Sequence, residues 1–413
     1  MKILWLYSYK KSISYNFWYT GNFMKVLNTL RGVEVKAYGP NMEKEYPDLA
    51  VLPYSDKVTM KEIKSLFNFD VILIWNACRM FSVDFSKTWL PADLGTIDTP
   101  RVLVEGDYHR YPNYEQKNKN FPSWIYDINP SVILHRHKAN VIRAIEGNKD
   151  LNHMWWPCSV DMDSFKPNPS IERINKIGYV GSSWSIYYFR NKAKRILLKE
   201  NLLDDKKTQF NDNYVRTLQS YVSFLSGSAI YSIDSAKAFE IMASGAVLLT
   251  NKCYNGFKEM FGKDSYLTYK NNFTDLTDKA KLILKDEELR KFTVKNALKV
   301  ISKKHTHLIR AKELVDIIKR EVLNDVVLIH NKGIFETISN FFFPPIVDLP
   351  VPTLTEKIVE IEKIEEAEKM LNKNIIEEFV VNFKNQSSLE NNFAFLKKLI
   401  DAGARVCLLK DTC

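Results

Sequence analysis

The chain has 413 residues, 45% of them hydrophobic and 13% aromatic, which is enough apolar material for two or three packed domains and too much for a disordered chain. Its net charge is +10, from 59 Lys and Arg against 49 Asp and Glu; this suits phosphate-bearing partners or an anionic membrane face, but no arginine-rich block points to nucleic acid. The five cysteines, Cys78, Cys158, Cys253, Cys407 and Cys413, have no metal-type pairing except a loose pair at the tail, and no apolar run is long enough to span a bilayer.

The opening stretch MKILWLYSYKK reads as a first strand, with an apolar core too short for a secretion signal. With the odd cysteine count, this sets the expectation of a cytoplasmic protein. A helix is predicted over 21–32, with Phe23, Val26, Leu27 and Leu30 at helical spacing. Strands follow at 33–39, 69–76, 99–107 and 130–137. They are rich in Val, Ile and Leu without strict alternation, as strands covered on both faces require. Strands alternating with helices predict parallel, helix-covered sheets.

The proline-bearing segment 153–170 reads as a connection, and a second alternation begins after it. Strands are predicted at 176–182, 228–233 and 246–251, and helices at 189–200 and 236–244, before three closing helices at 274–285, 286–302 and 306–323. From about residue 325 the character changes to a proline-rich linker (344–352), a charged helix (355–373), and a last helix, glycine turn and strand with no evident partner. The expected organisation is an α/β chain with domains at 1–165 and 166–324, then an extension at 325–413.

Several residues have the chemistry of a binding site. The segment KAFEIMASGAVLLTN (237–251) follows Ser235, a good helix cap, so the free amides and positive end of this helix can receive a diphosphate. Lys237 adds charge there, and Glu240 lies one turn on along the same face, where a carboxylate can accept the two hydroxyls of a ribose. The plainer reading is an exposed ion pair between them, worth about 0.3–0.5 kcal/mol. In IGYVGSSWS (177–185), Gly181 permits close backbone approach to a phosphate, Ser182 and Ser183 offer hydroxyls and amides, and Arg190 follows near a helix start. The Lys-Ser/Thr ending of a Walker loop is missing.

Asp107 and His109 stand at the predicted C-terminal edge of a strand, where ligands of open α/β sheets bind, and an Asp beside a His suits acid–base work. Gly21 is expected to open a helix facing the same edge. His305 and Arg310, in HTHLIR, lead into a closing helix, where capping or packing is the simpler role. Asp161 and Asp163 have an Asp-x-Asp form but fall in the proline-bearing connection, so no metal site is expected.

In their order and spacing, DMDSFKP, IGYVGSS…FR, KAFEIMASGAVLLTN, FKEMF and HTHLIRAKEL resemble the CgeB-like branch of the group 1 glycosyltransferases, most sharply over 176–320. The resemblance implies a GT-B fold, with two Rossmann-like domains facing across a cleft. It implies a nucleotide-sugar donor (UDP-, GDP- or dTDP-linked) on the second domain, an acceptor glycan, lipid or protein on the first, and no metal or other cofactor. Glu240 would grip the donor ribose. The amides at 235–237 and the Gly181 loop would hold the diphosphate, with Arg190 and Lys237 as charge partners and Asp107 and His109 across the cleft. Many retaining members carry a second glutamate eight residues before the one that Glu240 matches; here Ser232 stands there, so neither a retaining outcome nor the sugar's identity is implied. Two other readings share the fold, a non-catalytic structural relative and a sugar-nucleotide epimerase, and a peripheral position beside a membrane-bound acceptor is compatible with the basic surface.

Overall fold

The structure, a computed structural model, describes residues 1–7, 14–42, 49–55, 58–75, 89–91, 93–105, 124–138, 141, 150–181, 187–206, 212–228, 236–253, 256–323, 378–383 and 405–410. Asp107, His109, Ser182, Ser183, Ser235 and the predicted helix at 355–373 lie outside these. The chain forms two compact units, Met1–Ile329 and His330–Cys413.

The first unit holds two sheets. Six parallel strands, β1 (Lys2–Leu6), β2 (Glu34–Tyr38), β3 (Val71–Trp75), β4 (Arg101–Glu105), β5 (Val132–His135) and β6 (His153–Trp155), lie in the order 2-1-3-4-5-6. Every residue of β3, β4 and β5 is buried, which is why these stretches are apolar throughout instead of alternating. One face packs Ile3, Trp5, Leu73 and Val104 against α1 (Ser14–Asn28). The other packs Leu4, Leu6, Ile72 and Leu103 with α2 (Met60–Leu66) and α3 (Trp124–Ile128).

Five further parallel strands form the second sheet: β7 (Ile174–Tyr179), β8 (Leu203–Asp205), β9 (Tyr221–Leu225), β10 (Val247–Asn251) and β11 (Leu267–Tyr269), in the order 11-10-9-7-8. On one face lie α4 (Met162–Phe165), α6 (Asp212–Gln219), α7 (Ala236–Ala243), α8 (Phe257–Phe261) and α10 (Glu287–Lys304). On the other lie α5 (Tyr188–Lys199) and α9 (Leu276–Lys285). The strand order reverses direction between β7 and β9, the switch point at which open α/β sheets take their ligands.

The last helix among the described residues, α11 (His307–Ile317), and the π-helical turn Ile318–Val322 that continues it do not stay with the second sheet. Ala311, Leu314, Val315, Ile317, Ile318 and Val322 join the core that covers the first sheet beside α1. Arg310 forms a buried ion pair with Glu313 at the base of this helix.

Three expectations are corrected. The predicted connection at 153–170 begins with β6, because His153–Trp155 pairs with β5 before Pro157 ends the ladder. The strand expected at 228–233 lies, apart from Ser228, outside the described residues; β9, where Tyr221, Phe224 and Leu225 are buried, is a strand that the sequence reading does not contain. Gly21 does not open a helix; α1 begins seven residues earlier, and Gly21 is buried within it. The final strand does have a partner: in the second unit, β12 (Glu378–Phe383) and β13 (Arg405–Lys410) pair in parallel from Glu378↔Arg405 to Phe383↔Lys410.

Candidate donor site at the second switch point

β7 and β9 end side by side, and the groups that follow them converge. Gly181, two residues past β7, has φ +148°, and a Cβ there would sit 3.3 Å from Arg190 Nη2. Glycine is therefore what lets this strand end lie against the guanidinium. Arg190 is buried in the first turn of α5, with its Cζ 3.6 Å from the centre of the Tyr187 ring. Past β9, a Cβ on Gly227 would meet Arg190 Cβ at 3.0 Å and Asn251 Oδ1 at 3.1 Å. Asn251, at the end of β10, is fully buried; its Oδ1 accepts from the Ser228 amide at 2.8 Å, and its Nδ2 donates to Ser228 Oγ at 2.8 Å. Three strand ends are thus locked together around Arg190.

α7 brings the remaining groups. Its apolar residues Ala238, Phe239, Ile241 and Met242 are buried, and Glu240 among them is only 3% exposed. The exposed ion pair of the plainer reading is therefore not what forms. Glu240 Oε2 accepts a hydrogen bond of 2.5 Å from Tyr214 Oη, and the same Oη accepts from Lys237 Nζ at 3.0 Å. Burial first, and then the charge and hydrogen bond of Glu240, push the Tyr214 hydroxyl well above its ordinary value, so it stays protonated and donates. Burial lowers Lys237 to about 8; the Glu240 charge pulls it up and Arg190 pushes it further down. Two cations, one carboxylate and one phenol therefore share a partly dry site at a sheet's C-terminal edge. Such a cluster can hold an anion by its cations and hydroxyls by its carboxylate.

His305 and Arg310 are placed elsewhere. His305 Nε2 donates to the Met260 carbonyl at 2.9 Å, and its Nδ1 accepts from Arg310 Nη2 at 3.0 Å. The ring also meets Phe239 and Phe261 edge-on. Burial first and then the Arg310 charge lower it to about 3, so it is a neutral crosslink between α8 and the start of α11. Asp161 caps α4 by accepting from the Asp163 amide at 3.1 Å, and it also accepts from Asn22 Nδ2 of α1 at 3.0 Å. Among the described residues, no group of three or more His, Cys, Asp or Glu could hold a metal ion, and no helix is long and apolar enough to cross a membrane.

Tyr214 is the residue that sequence reasoning missed. It stands 26 residues before Glu240 on α6, a short helix with no motif around it. Only the fold relates it to α7.

Residues 180–316 match the family described as "Glycosyl transferase-like". No curated protein sequence matches the chain. Among solved structures, a glycosyltransferase from Rickettsia africae superposes with a TM-score of 0.55 at 11% identity, covering 78% of this chain and 99% of that one. The Anabaena protein HepE, in complex with UDP, gives 0.55 at 12% identity, over 78% of this chain and all of that one. Sucrose-phosphate synthase from Thermosynechococcus elongatus gives 0.53 at 10% identity, over 78% and 98%. The chain thus has the GT-B fold of two parallel, helix-covered sheets, and the segment that matches a glycosyl transferase-like family is the one that carries Gly181, Arg190, Tyr214, Lys237 and Glu240.

Proposed function

We propose that the chain is a glycosyltransferase of the CgeB-like branch, moving a sugar from a nucleoside-diphosphate sugar to a hydroxyl of a glycan, lipid or protein acceptor. One observation carries this reading: a buried carboxylate, Glu240, is held beside two cations at the switch point of the second sheet. Glu240 binds the donor ribose, and Lys237, Arg190 and the Gly181 backbone receive the diphosphate. The donor side is 166–324 and the acceptor side 1–165. In the reaction the acceptor oxygen bonds to the anomeric carbon as the bond from that carbon to the diphosphate oxygen breaks. The electron pair leaves with the diphosphate, whose charge Lys237 and Arg190 offset. Asp107 and His109 are proposed to take the acceptor proton. Charge stabilisation by side chains accords with a donor site that uses no metal, and the basic chain is suited to work at the cytoplasmic membrane face.

The structure of HepE with UDP makes UDP the first nucleotide to try. Calorimetry of the wild-type protein against UDP, GDP and dTDP, without added metal, is expected to give saturable binding of one of them. Glu240→Ala is expected to weaken it by about 1–3 kcal/mol, the cost of leaving buried polar groups unpaired, and Glu240→Gln by less. A wild-type protein that binds none of the three, and none of their sugars, overturns the reading.

A further inference from the structure

Glu240 and Lys237 are three residues apart on α7, a separation at which carboxylate and ammonium readily close on each other. A direct pair would spend the carboxylate on the lysine. In the structure a third group bridges them: Tyr214 Oη donates to Glu240 at 2.5 Å and accepts from Lys237 at 3.0 Å. The oxygen is itself fixed. Tyr214 is 1% exposed, and its ring stands edge-on to Phe165 of α4, with centroids 6.2 Å apart and planes at 86°. Packing alone would use only the ring, and phenylalanine would serve. Here the hydroxyl is used twice, once as donor and once as acceptor, on the two groups with the chemistry to hold opposite ends of a nucleoside diphosphate.

We propose that Tyr214 is a positioning residue of the donor site, its single hydroxyl steering the Glu240 carboxylate toward a ribose hydroxyl and the Lys237 ammonium toward the diphosphate. This rests on the glycosyltransferase reading above. It adds that selection of ribose over deoxyribose depends on a residue outside every motif of the segment. Removal of the hydroxyl lets Lys237 and Glu240 collapse into a direct pair, and the carboxylate turns away from the ribose.

The test compares UDP with 2′-deoxy-UDP, and GDP with 2′-deoxy-GDP, by calorimetry on the full chain. The wild-type protein is expected to prefer the ribose form. Tyr214→Phe, which keeps the ring against Phe165, is expected to bind the ribose form about tenfold more weakly and to lose the preference. Lys237→Met leaves the hydrogen bond from Tyr214 to Glu240 in place; it is expected to bind both forms more weakly yet keep the preference. A Tyr214→Phe protein that keeps the wild-type preference overturns the proposal while leaving the glycosyltransferase reading intact. So does loss of the preference in Lys237→Met, or a wild-type protein that binds dTDP alone. A wild-type protein that binds no nucleotide overturns both.

Discussion

Two buried polar clusters in this molecule are each organised by a tyrosine, and they differ in charge. At the second sheet, Tyr214 joins a carboxylate to an ammonium. Between the first sheet and the returning helix α11, Tyr19 and Ser159 share a hydrogen bond of 3.1 Å, the Ser159 amide donates to Tyr19 Oη at 3.1 Å, and Ser159 Oγ bonds His307 Nδ1 at 2.9 Å. The rings of Tyr19 and Phe23 close edge-on over His307, and the Arg136 guanidinium lies 5.1 Å from the Tyr19 ring centre. This second cluster ties α1, the segment after β6 and α11 together through hydrogen bonds between neutral groups, with one cation, Arg136, beside them. The first cluster brings together charges that a ligand can use. Burial is common to both; the first sets a carboxylate beside cations, whereas the second joins neutral groups to one another beside a single guanidinium.

Acid should break the joint with the largest effect. Burial first and then the Arg136 charge lower His307 to about 3, and His305 is lowered to about 3 as well. The unfolded chain takes up these protons below the ordinary value of 6.5, and the folded chain does not until about 3. Stability is therefore complete above 6.5 and drains as pH falls toward 3, by about 2–3 kcal/mol per histidine at pH 4.5. Denaturant titrations at a series of pH values check this, and His307→Gln should flatten the slope. Ser159→Ala comes next: it removes the bridge from Tyr19 to His307 and should cost about 1–3 kcal/mol in denaturant unfolding, with nucleotide affinity unchanged where the protein is folded.

The smallest effect sharpens the other side of the comparison. Lys237, at about 8, is largely protonated at neutral pH, and a bound diphosphate favours that form. Nucleotide affinity should hold below pH 8 and fall by up to about tenfold toward pH 9.5, as binding comes to require a proton from solvent. Calorimetry in buffers of different ionisation enthalpy should register that uptake, and Lys237→Met should abolish it. The Ser159→Ala protein should show the wild-type profile.

Most of the first sheet is legible from local pattern. VILIW, RVLVE and VILH are apolar at every position because both faces are covered, and their spacing predicts strands within two residues of their true ends. β9 is missed because YVSFL is a short stretch, and only the ladder with β7 and β10 defines it. The candidate site is half legible. Gly181, Arg190, Lys237 and Glu240 stand out because each follows a strand or opens a helix, so chain order already places them at one edge. Tyr214 does not, since its part depends on how α6 lies against α7, a tertiary fact that no short window contains. That Glu240 is buried instead of exposed is equally out of reach, because its neighbour Tyr214 comes from α6.

The return of α11 to the first sheet sets a clock on biosynthesis. The first sheet's last strand leaves the ribosome well before its cover does, because Ala311, Leu314, Val315, Ile317 and Ile318 are encoded some 150 residues later. At typical elongation rates that interval is about 8–30 s. Through it, one apolar face of an otherwise complete six-stranded sheet has α1 as cover but lacks the rest of its lid while the entire second sheet is made. The two halves therefore finish in the reverse of their order of synthesis: the second sheet can close on its own helices, and the first is sealed last.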